Sequence, residues 1–232
     1  MYCEISKNIC NILLPLSQIH QIMIKKITLL GDIHGKYKRM HEVIREKDKH
    51  EYIVALGDIG FSFETLDNVD PKKFVIVGGN HEDYDKIVNI PHYLGDYGYV
   101  NNFNGIDFFF YRGAYSIDRQ YRTIGIDWWE QEQLKIEDFM KARELYRDIK
   151  PEVVFTHDCP QSLYSYLLPP GAKIYENITS WALEELFNIH QPKIWRFGHF
   201  HKSWRMTING TDFRCLNELE TEILTKNDIH GY

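Results

Sequence analysis

Short apolar runs alternate along the chain with segments in which apolar residues recur at helical spacing. An apolar run of four or five residues that ends at a glycine is typical of a buried strand. Between the first two runs, Tyr37, Met40 and Val43 recur among charged residues, which predicts an amphipathic helix. Strand–helix–strand alternation predicts right-handed crossovers and a largely parallel sheet. The three runs are residues 27–30, 52–56 and 73–77.

The second half of the chain combines hairpins with further helices and strands. Asn-Gly pairs at residues 104–105 and 209–210 each separate two strand-like segments. Asn-Gly supplies the positive φ values of a tight two-residue turn, so we predict hairpins over residues 98–111 and 204–216. An α/β domain containing two sheets, with helices on the outside, is the simplest assembly. The other predicted elements are helices over residues 134–147 and 181–189 and strands over residues 153–155 and 193–197.

The first 22 residues differ from the regular pattern that follows them. Their apolar stretch, residues 12–16, is short and is interrupted by Pro15, and Glu4 offsets Lys7, so a secretory signal is poorly formed. We therefore expect residues 1–22 to be a disordered N-terminal extension, or translation to begin at Met23. An N-terminal segment bound to the fold is the alternative. Residues 23–232 are predicted to form one domain.

Composition restricts the class of protein and of partner. With 232 residues, 44% of them hydrophobic, the chain can bury one sizeable core. The formal net charge of -6 gives no overall basic surface, so nucleic acid is expected only as a substrate. No run approaches 18 uninterrupted apolar residues, which argues against a membrane span. Four cysteines without CxxC spacing fit a reducing compartment, and we expect a cytoplasmic location. The oligomeric state stays open.

Five short polar motifs follow predicted strands. In α/β sheets, ligands collect outside the carboxyl ends of the strands, so residues far apart in sequence converge there. Asp32 and His34 pair a carboxylate with an imidazole, which suits a divalent transition metal. Asp58 occupies a similar position, although an acidic residue is also an ordinary turn residue. In chain order the motifs are GDIHG, GDIG, GGNHE, THD and GHFH.

The histidine-containing motifs extend this set of candidate metal ligands. Asn80 could offer its amide oxygen to a metal or cap a following helix, and His81 could act as an acid or base near neutral pH. His199 and His201, two positions apart on an extended segment, would face the same side. Such mixed nitrogen and oxygen ligands exceed what one tetrahedral zinc requires, and they could fill two adjacent sites that share a carboxylate. The candidates are Asp32, His34, Asp58, Asn80, His81, His157, His199 and His201.

Together, the ordered motifs resemble the calcineurin-like metallophosphoesterase superfamily over roughly residues 24–217. The stretch around Arg112 to Trp129 is similar to small phosphoesterases of phages and bacteria. The resemblance implies a two-sheet α/β sandwich, αββα, with two metals at the carboxyl ends of the strands. By motif match, Asp58 would bridge the two ions. Asp32, His34 and His201 would hold one ion, and Asn80, His157 and His199 the other.

The activity that the resemblance implies is metal-dependent hydrolysis of a phosphate ester by a bridging hydroxide that two metal ions activate. His81 would contact the phosphate or protonate the leaving oxygen. Manganese is the first expectation for both divalent ions, with iron, zinc, cobalt and nickel as alternatives. A phosphomonoesterase and a phosphodiesterase or nuclease both stay open. A different class of protein is the alternative: a catalytically inactive metal-binding scaffold or interaction protein of the same fold.

One departure from the family pattern concerns the cation that holds phosphate. The protein Ser/Thr phosphatase branch extends its second motif with an Asp-Arg pair, whereas this chain has Gly60-Phe61-Ser62 there. Another cation is therefore expected to bind the phosphate. Arg112 and Arg119 are the main candidates and Arg122 is a third, with ordinary surface charge as the alternative interpretation.

Overall fold

The computed structural model describes residues 25–47, 52–175 and 177–230. The predicted extension at residues 1–22 and the alternative start at Met23 lie outside these residues. The strands are β1 Lys26–Leu30, β2 Tyr52–Ala55, β3 Phe74–Ile76, β4 Tyr97–Phe103, β5 Ile106–Tyr111, β6 Val153–Thr156, β7 Ile194–Phe197, β8 Trp204–Ile208, β9 Thr211–Cys215 and β10 Thr221–Thr225. The helices are α1 Tyr37–Glu46, α2 Tyr84–Ile87, α3 Ile136–Ile149, α4 Tyr164–Leu167, α5 Ile178–Ile189 and α6 Lys226–His230.

The ten strands form two sheets. The first has four strands in the order β10-β1-β2-β3, and the second has six in the order β4-β5-β6-β7-β9-β8. Strands β1, β2 and β3 run parallel, as do β5, β6, β7 and β9. The carboxyl ends of parallel strands meet at one edge of a sheet, so the polar motifs that follow these strands are brought together.

Alternating apolar residues build the layers between and outside the sheets. Ile27 of β1 and Val54 of β2 face Phe108 of β5 in a core between the sheets. Residues one position along, such as Ile53, face outward and pack with Met40 of α1. This period of two follows from the alternation of side chains along a strand.

Helices α3 and α5 cover the outer face of the second sheet. Phe109 of β5 and Trp195 of β7 pack there with Phe139 of α3 and Leu186 of α5. The layers therefore run helix, sheet, sheet, helix, and the predicted αββα class is confirmed. In the described residues, no helix combines the length and apolarity needed to cross a membrane.

The predicted strands and both hairpins are confirmed, but β10 was not predicted. It pairs antiparallel with β1 at the edge of the first sheet. Of its residues, Leu224 alone is buried. An edge strand has one open side and is largely solvated, so its sequence lacks the apolar run that marked the inner strands.

A buried arginine links the two sheets. Arg196 of β7 is 1% exposed. Its Nη2 lies 2.7 Å from Asp212 Oδ2 on β9, and its Nε lies 2.8 Å from Glu222 Oε2 on β10. Because Asp212 belongs to the second sheet and Glu222 to the first, one guanidinium joins both sheets. A buried charge of this kind needs such partners, since desolvation is costly.

We expect Arg196→Leu to lower the free energy of unfolding by about 3 kcal/mol, because it removes the buried cation that joins Asp212 of one sheet to Glu222 of the other. Urea unfolding monitored by circular dichroism measures this. Arg205→Leu is the matched control, since Arg205 also binds Asp212, at 2.8 Å, but its side chain is 61% exposed. An exposed pair contributes about 0–1 kcal/mol. Equal losses in the two variants would contradict the bridging role of Arg196.

Candidate metal centre

Two buried carboxylates, Asp32 after β1 and Asp58 after β2, form the base of the site. They are 0% and 1% exposed. Asp58 Oδ1 accepts hydrogen bonds from the backbone N–H groups of Asn80 and His81, each at 2.9 Å. The Asp32 carboxylate accepts from the backbone N–H of His199, at 3.1 and 3.0 Å to its two oxygens. Each carboxylate is therefore fixed by the backbone of another motif, distant in sequence.

Two glycines allow this close approach of backbone to carboxylate. A Cβ atom at Gly79 would lie 2.1 Å from Asp58 Oδ1, and one at Gly198 would lie 2.1 Å from Asp32 Oδ1. Any larger residue at either position would displace a carboxylate. The glycines of the third and fifth motifs are thus explained by contact with the acidic residues of the second and first.

Asp32, His34, Asp58 and His201 form one potential metal-binding group. Each offers a ligand atom, and these atoms all lie within 4.8 Å of one another. His201 Nε2 lies 3.1 Å from Asp32 Oδ2 and 2.8 Å from His34 Nε2. His34 Nε2 lies 3.4 Å from Asp58 Oδ2. Imidazoles converging with carboxylates suit a divalent transition metal.

A second group faces the other oxygen of Asp58. His157 Nε2 lies 3.2 Å from Asp58 Oδ1 and 3.1 Å from Asn80 Oδ1. The other ring nitrogen of His157 donates to the carbonyl of Leu56 at 2.6 Å. The ring of His199 is 5.2 Å from that of His157, and its buried Nδ1 has no hydrogen-bond partner among the described residues. A buried nitrogen left unpaired fits a ligand position.

The spacing of His199 and His201 predicted that both side chains face the same side of an extended segment. The structure contradicts this prediction. Both have positive φ angles, 67° and 50°, so the backbone is left-handed at each. His201 packs edge-on against His34, with ring centroids 4.7 Å apart, while His199 packs against His157. The turn therefore divides the pair between the two groups. Left-handed conformations are strained for residues other than glycine and cluster at functional sites.

The pKa shifts of the buried residues follow from burial and from the charges of Asp58 and His157. Burial alone would lower the pKa of His157, but the charge and hydrogen bond of Asp58 outweigh it and raise the pKa to about 10. Burial would raise the pKa of Asp58, yet the charge of His157 holds it well below its usual value. Burial lowers the pKa of His199 to about 3, and the charge of His157 adds to this. Neutral imidazoles and ionised carboxylates are the states that ligate metals. Asp58 and His199 are therefore already in these states, whereas His157, with its raised pKa, would release a proton on binding a metal.

His81 lies beside these groups and contacts an arginine. Its ring is 4.9 Å from that of His34. Arg122 Nη2 lies 2.8 Å from His81 Nε2 and 2.9 Å from Asp118 Oδ2. Burial lowers the pKa of His81; the charge of Asp58 opposes this shift and the charge of Arg122 adds to it. An arginine and an aspartate from the segment that follows β5 thus lie beside His81, whereas the second motif has no Asp-Arg pair.

The structure does not bring the other two candidate arginines to His81. Arg112 is 5% exposed, its Nε donates to Asp96 Oδ1 at 2.6 Å, and its guanidinium lies 4.3 Å from the ring centre of Tyr84. Arg119 lies 4.6 Å from the ring centre of Tyr115. Each of these arginines thus has a partner other than His81, and its role in binding phosphate stays a prediction. Sequence distance from the motifs could not rank the three arginines.

Two supporting residues were not singled out from the sequence. Glu82 is fully buried, and its carboxylate accepts from the backbone N–H groups of Ile59, Gly60 and Gly79 at 3.1 to 3.3 Å. It therefore ties the second motif to the third, and burial, with Asp58, raises its pKa to about 8. The position of Glu82 in the GGNHE motif could have identified it from the sequence as a supporting residue. Ser116 Oγ accepts a hydrogen bond from Asn80 Nδ2 at 2.9 Å, and no sequence pattern indicated this residue.

Asn80 is not the cap of the helix that follows it. That cap is Asp83, whose side chain accepts from the N–H of Asp85 at 3.2 Å. Because Ser116 takes the amide N–H of Asn80, the amide oxygen turns towards His157. The alternative interpretation of Asn80 as an N-cap is therefore wrong, and its side chain faces the second group.

A cavity of about 550 Å³ opens onto both groups. Its polar wall includes Asp58, Asn80, His81, His199 and His201. Tyrosine and apolar side chains from the segments after β5 and α4 complete it. A phosphate ester could thus reach the candidate ligands and His81 together.

Comparison with known proteins identifies the family of this chain. A search of curated protein sequences finds no match. A proposed 5′-nucleotidase from Staphylococcus aureus, solved in complex with alpha-ketoglutarate, aligns with a TM-score of 0.52 and 12% identity over 86% of this chain and 50% of that one. The chain thus spans half the length of that protein, and the likeness shows the fold. Phosphopantetheinyl hydrolase from Mycobacterium tuberculosis aligns with a TM-score of 0.46 and 14% identity, covering 84% of this chain and 90% of that one.

The family model for calcineurin-like phosphoesterases matches residues 25–203, most of the chain. This protein therefore belongs to the calcineurin-like phosphoesterase family.

Proposed function

We propose that this protein hydrolyses phosphate esters with two divalent metal ions held at the carboxyl ends of the strands. The observation that carries the proposal is the position of Asp58. One of its oxygens faces His34 at 3.4 Å, and the other faces His157 at 3.2 Å. A carboxylate between two groups of ligands is suited to bridge two ions.

The ligands divide between the ions according to the two groups. Two bound divalent cations would supply an activated water as nucleophile and would offset the negative charge of the phosphoryl oxygens. Manganese is the first expectation, with iron, zinc, cobalt and nickel as alternatives, because these ligand types accept all of them. Asp32, His34 and His201 would hold one ion, Asn80, His157 and His199 the other, and Asp58 both.

Neighbouring residues fix the ligand atoms in place. The carbonyl of Leu56 accepts from His157 Nδ1, so Nε2 is the nitrogen that would coordinate a metal after releasing its proton. Ser116 holds the amide of Asn80 so that its oxygen faces the same point. Such partners usually matter for affinity, since they hold each ligand in the orientation that the metal needs.

His81 would act on the phosphate rather than on the metals. It lines the cavity beside the candidate ligands. Because burial lowers its pKa, the ring is neutral near pH 7. A neutral imidazole can donate a hydrogen bond to a phosphoryl oxygen, and for this role the ring would turn away from Arg122, whose Nη1 and Nη2 lie 3.1 and 2.8 Å from its two nitrogens.

A scaffold of the same fold without catalysis is the competing function. It would be expected to have lost ligands, whereas here each position implied by the family motifs holds a residue able to coordinate. Loss of hydrolysis on chelation, and its return when metal is added, distinguishes an enzyme from a scaffold.

We expect Asp58→Asn to lose both ions, because it removes the negative charge shared by the two groups. An Asn side chain keeps an oxygen that can accept the backbone N–H groups of Asn80 and His81, so the fold should be retained. His199→Ala is the matched comparison and should lose one ion, since the group of Asp32, His34 and His201 stays complete. Inductively coupled plasma mass spectrometry gives the number of ions per chain. Retention of one ion by Asp58→Asn would argue against bridging.

We expect His81→Ala to keep both ions but to lower kcat by about 10²-fold. This is within the range for a lost hydrogen bond to a charged group and at the lower limit for a general acid. Steady-state hydrolysis of 4-nitrophenyl phosphate measures it. His41→Ala, which removes an imidazole from α1, serves as the control and should hydrolyse at the wild-type rate. An unchanged kcat in His81→Ala would exclude His81 from the reaction.

A further inference from the structure

We propose that Arg122 binds a phosphoryl oxygen and thereby makes this site prefer phosphomonoesters over phosphodiesters. The proposal rests on the proposed hydrolytic function and goes further, because it selects the class of substrate. It comes from a residue outside the five motifs, on the segment between β5 and α3.

Arg122 follows a short 3-10 turn, Arg119–Tyr121, and lines the cavity that opens onto the candidate metal ligands. Its side chain is 11% exposed. His81, the residue proposed to contact phosphate, lies 2.8 Å from its Nη2. The guanidinium therefore lies where a phosphate contacting His81 would also meet a positive charge.

The guanidinium is held in position but keeps free donors. Nη2 donates to Asp118 Oδ2 at 2.9 Å, and Nη1 donates to the carbonyl of Asp127 at 3.3 Å. Nη2 and Nη1 also lie 2.8 and 3.1 Å from Nε2 and Nδ1 of His81, and a neutral imidazole accepts a hydrogen bond at only one of these nitrogens. An arginine has five N–H donors. Among the described residues, Asp118, Asp127 and one nitrogen of His81 accept three of them, which leaves Nε–H and the one Nη N–H that faces the other nitrogen of His81 for a ligand.

The hydrogen-bond partners of Arg122 hold its guanidinium in one position. Asp127 is itself anchored, because its Oδ1 accepts from the N–H of Thr123 at 2.5 Å. The Arg122 side chain thus loses little further freedom when an oxyanion binds. A pre-organised guanidinium can bind two phosphate oxygens through parallel N–H groups, which an ammonium cannot do.

Charge and oxygen count then distinguish the two classes of ester. A phosphomonoester carries a charge of about −1.5 to −2 near pH 7 and three terminal oxygens that accept hydrogen bonds strongly. A diester carries one negative charge and has two such oxygens, because the third is esterified. A cation other than the two metal ions can therefore bind a third terminal oxygen on the monoester, which the diester does not have.

Lys173 is the other cationic side chain on the wall of this cavity, among the described residues. Its Nζ lies 4.5 Å from the ring centre of Tyr175, and the residue is exposed. An exposed ammonium stacked on a tyrosine interacts weakly and is well hydrated. Arg122, partly buried and beside His81, is therefore the cation that the geometry favours.

The test uses two esters with the same leaving group, 4-nitrophenyl phosphate and methyl 4-nitrophenyl phosphate. The metal-loaded wild-type protein should prefer the monoester. Arg122→Met should lower kcat/KM for the monoester by about 10–10²-fold, the loss expected for a hydrogen bond to a charged group, and change the diester rate less than threefold. Arg122→Lys keeps the positive charge but lacks the parallel N–H groups of the guanidinium, so it should recover part of the lost kcat/KM.

Binding of inorganic phosphate to the metal-loaded protein gives a second readout, independent of turnover. Calorimetric titration should show at least tenfold weaker binding in Arg122→Met, with an unchanged number of metal ions. Arg147→Met is the matched control, since Arg147 on α3 is an arginine paired with a carboxylate, Glu144, outside the cavity. Its phosphate affinity and its kcat/KM for both esters should equal those of the wild type.

Equal losses for the two esters, or unchanged phosphate affinity in Arg122→Met, would overturn the proposal. Wild-type protein that holds both ions but hydrolyses neither ester would contradict the proposed function instead. In that case the phosphate titration still decides whether Arg122 binds the phosphoryl group.

Discussion

The buried carboxylate of Asp58 is the interaction on which the rest of the site depends. It lies between the two groups of candidate ligands, and two backbone N–H groups of the third motif hold it in place. A carboxylate with 1% exposure would be costly without such donors and without nearby positive charge. The neighbouring glycine, Gly79, and the clamp formed by Glu82 bring the third motif close enough to provide them. The stability of this arrangement and its ability to bind cations therefore have the same origin.

Parallel strands position the candidate ligands, and irregular segments position the residues around them. Strands β1, β2 and β3 deliver their motifs to one edge of the first sheet, while β6 and β7 deliver theirs from the second. The long segment after β5 then adds Ser116, which orients the amide of Asn80, and Arg122, which contacts His81. Ligand positions are thus set by the regular core. The surroundings of a bound phosphate are set by loops, which is where substrate preference can vary within one fold.

Three arginines follow β5 closely, and the sequence does not distinguish among them. Arg112, Arg119 and Arg122 lie within eleven residues, and local sequence gives no reason to prefer one of them. The structure places Arg112 among Asp96 and Tyr84, and Arg122 beside His81. The difference arises because the chain turns sharply after β5, so that neighbouring residues point towards different partners. A similar turn separates His199 from His201, where alternation along an extended strand predicted a shared direction.

The sequence by itself determined the fold class, the order of the strands' motifs and the types of candidate ligand, because strand alternation, turn residues and strand-end acids are local patterns. It also determined the family, through the combined series of motifs. Only the tertiary structure decided which ligands share a group, which arginine meets His81 and which backbone holds each carboxylate. These relations join residues far apart in the chain: the Asp32 carboxylate and the His199 N–H are separated by 167 positions. The packing of the two sheets brings such residues together, and a local sequence pattern does not indicate these contacts.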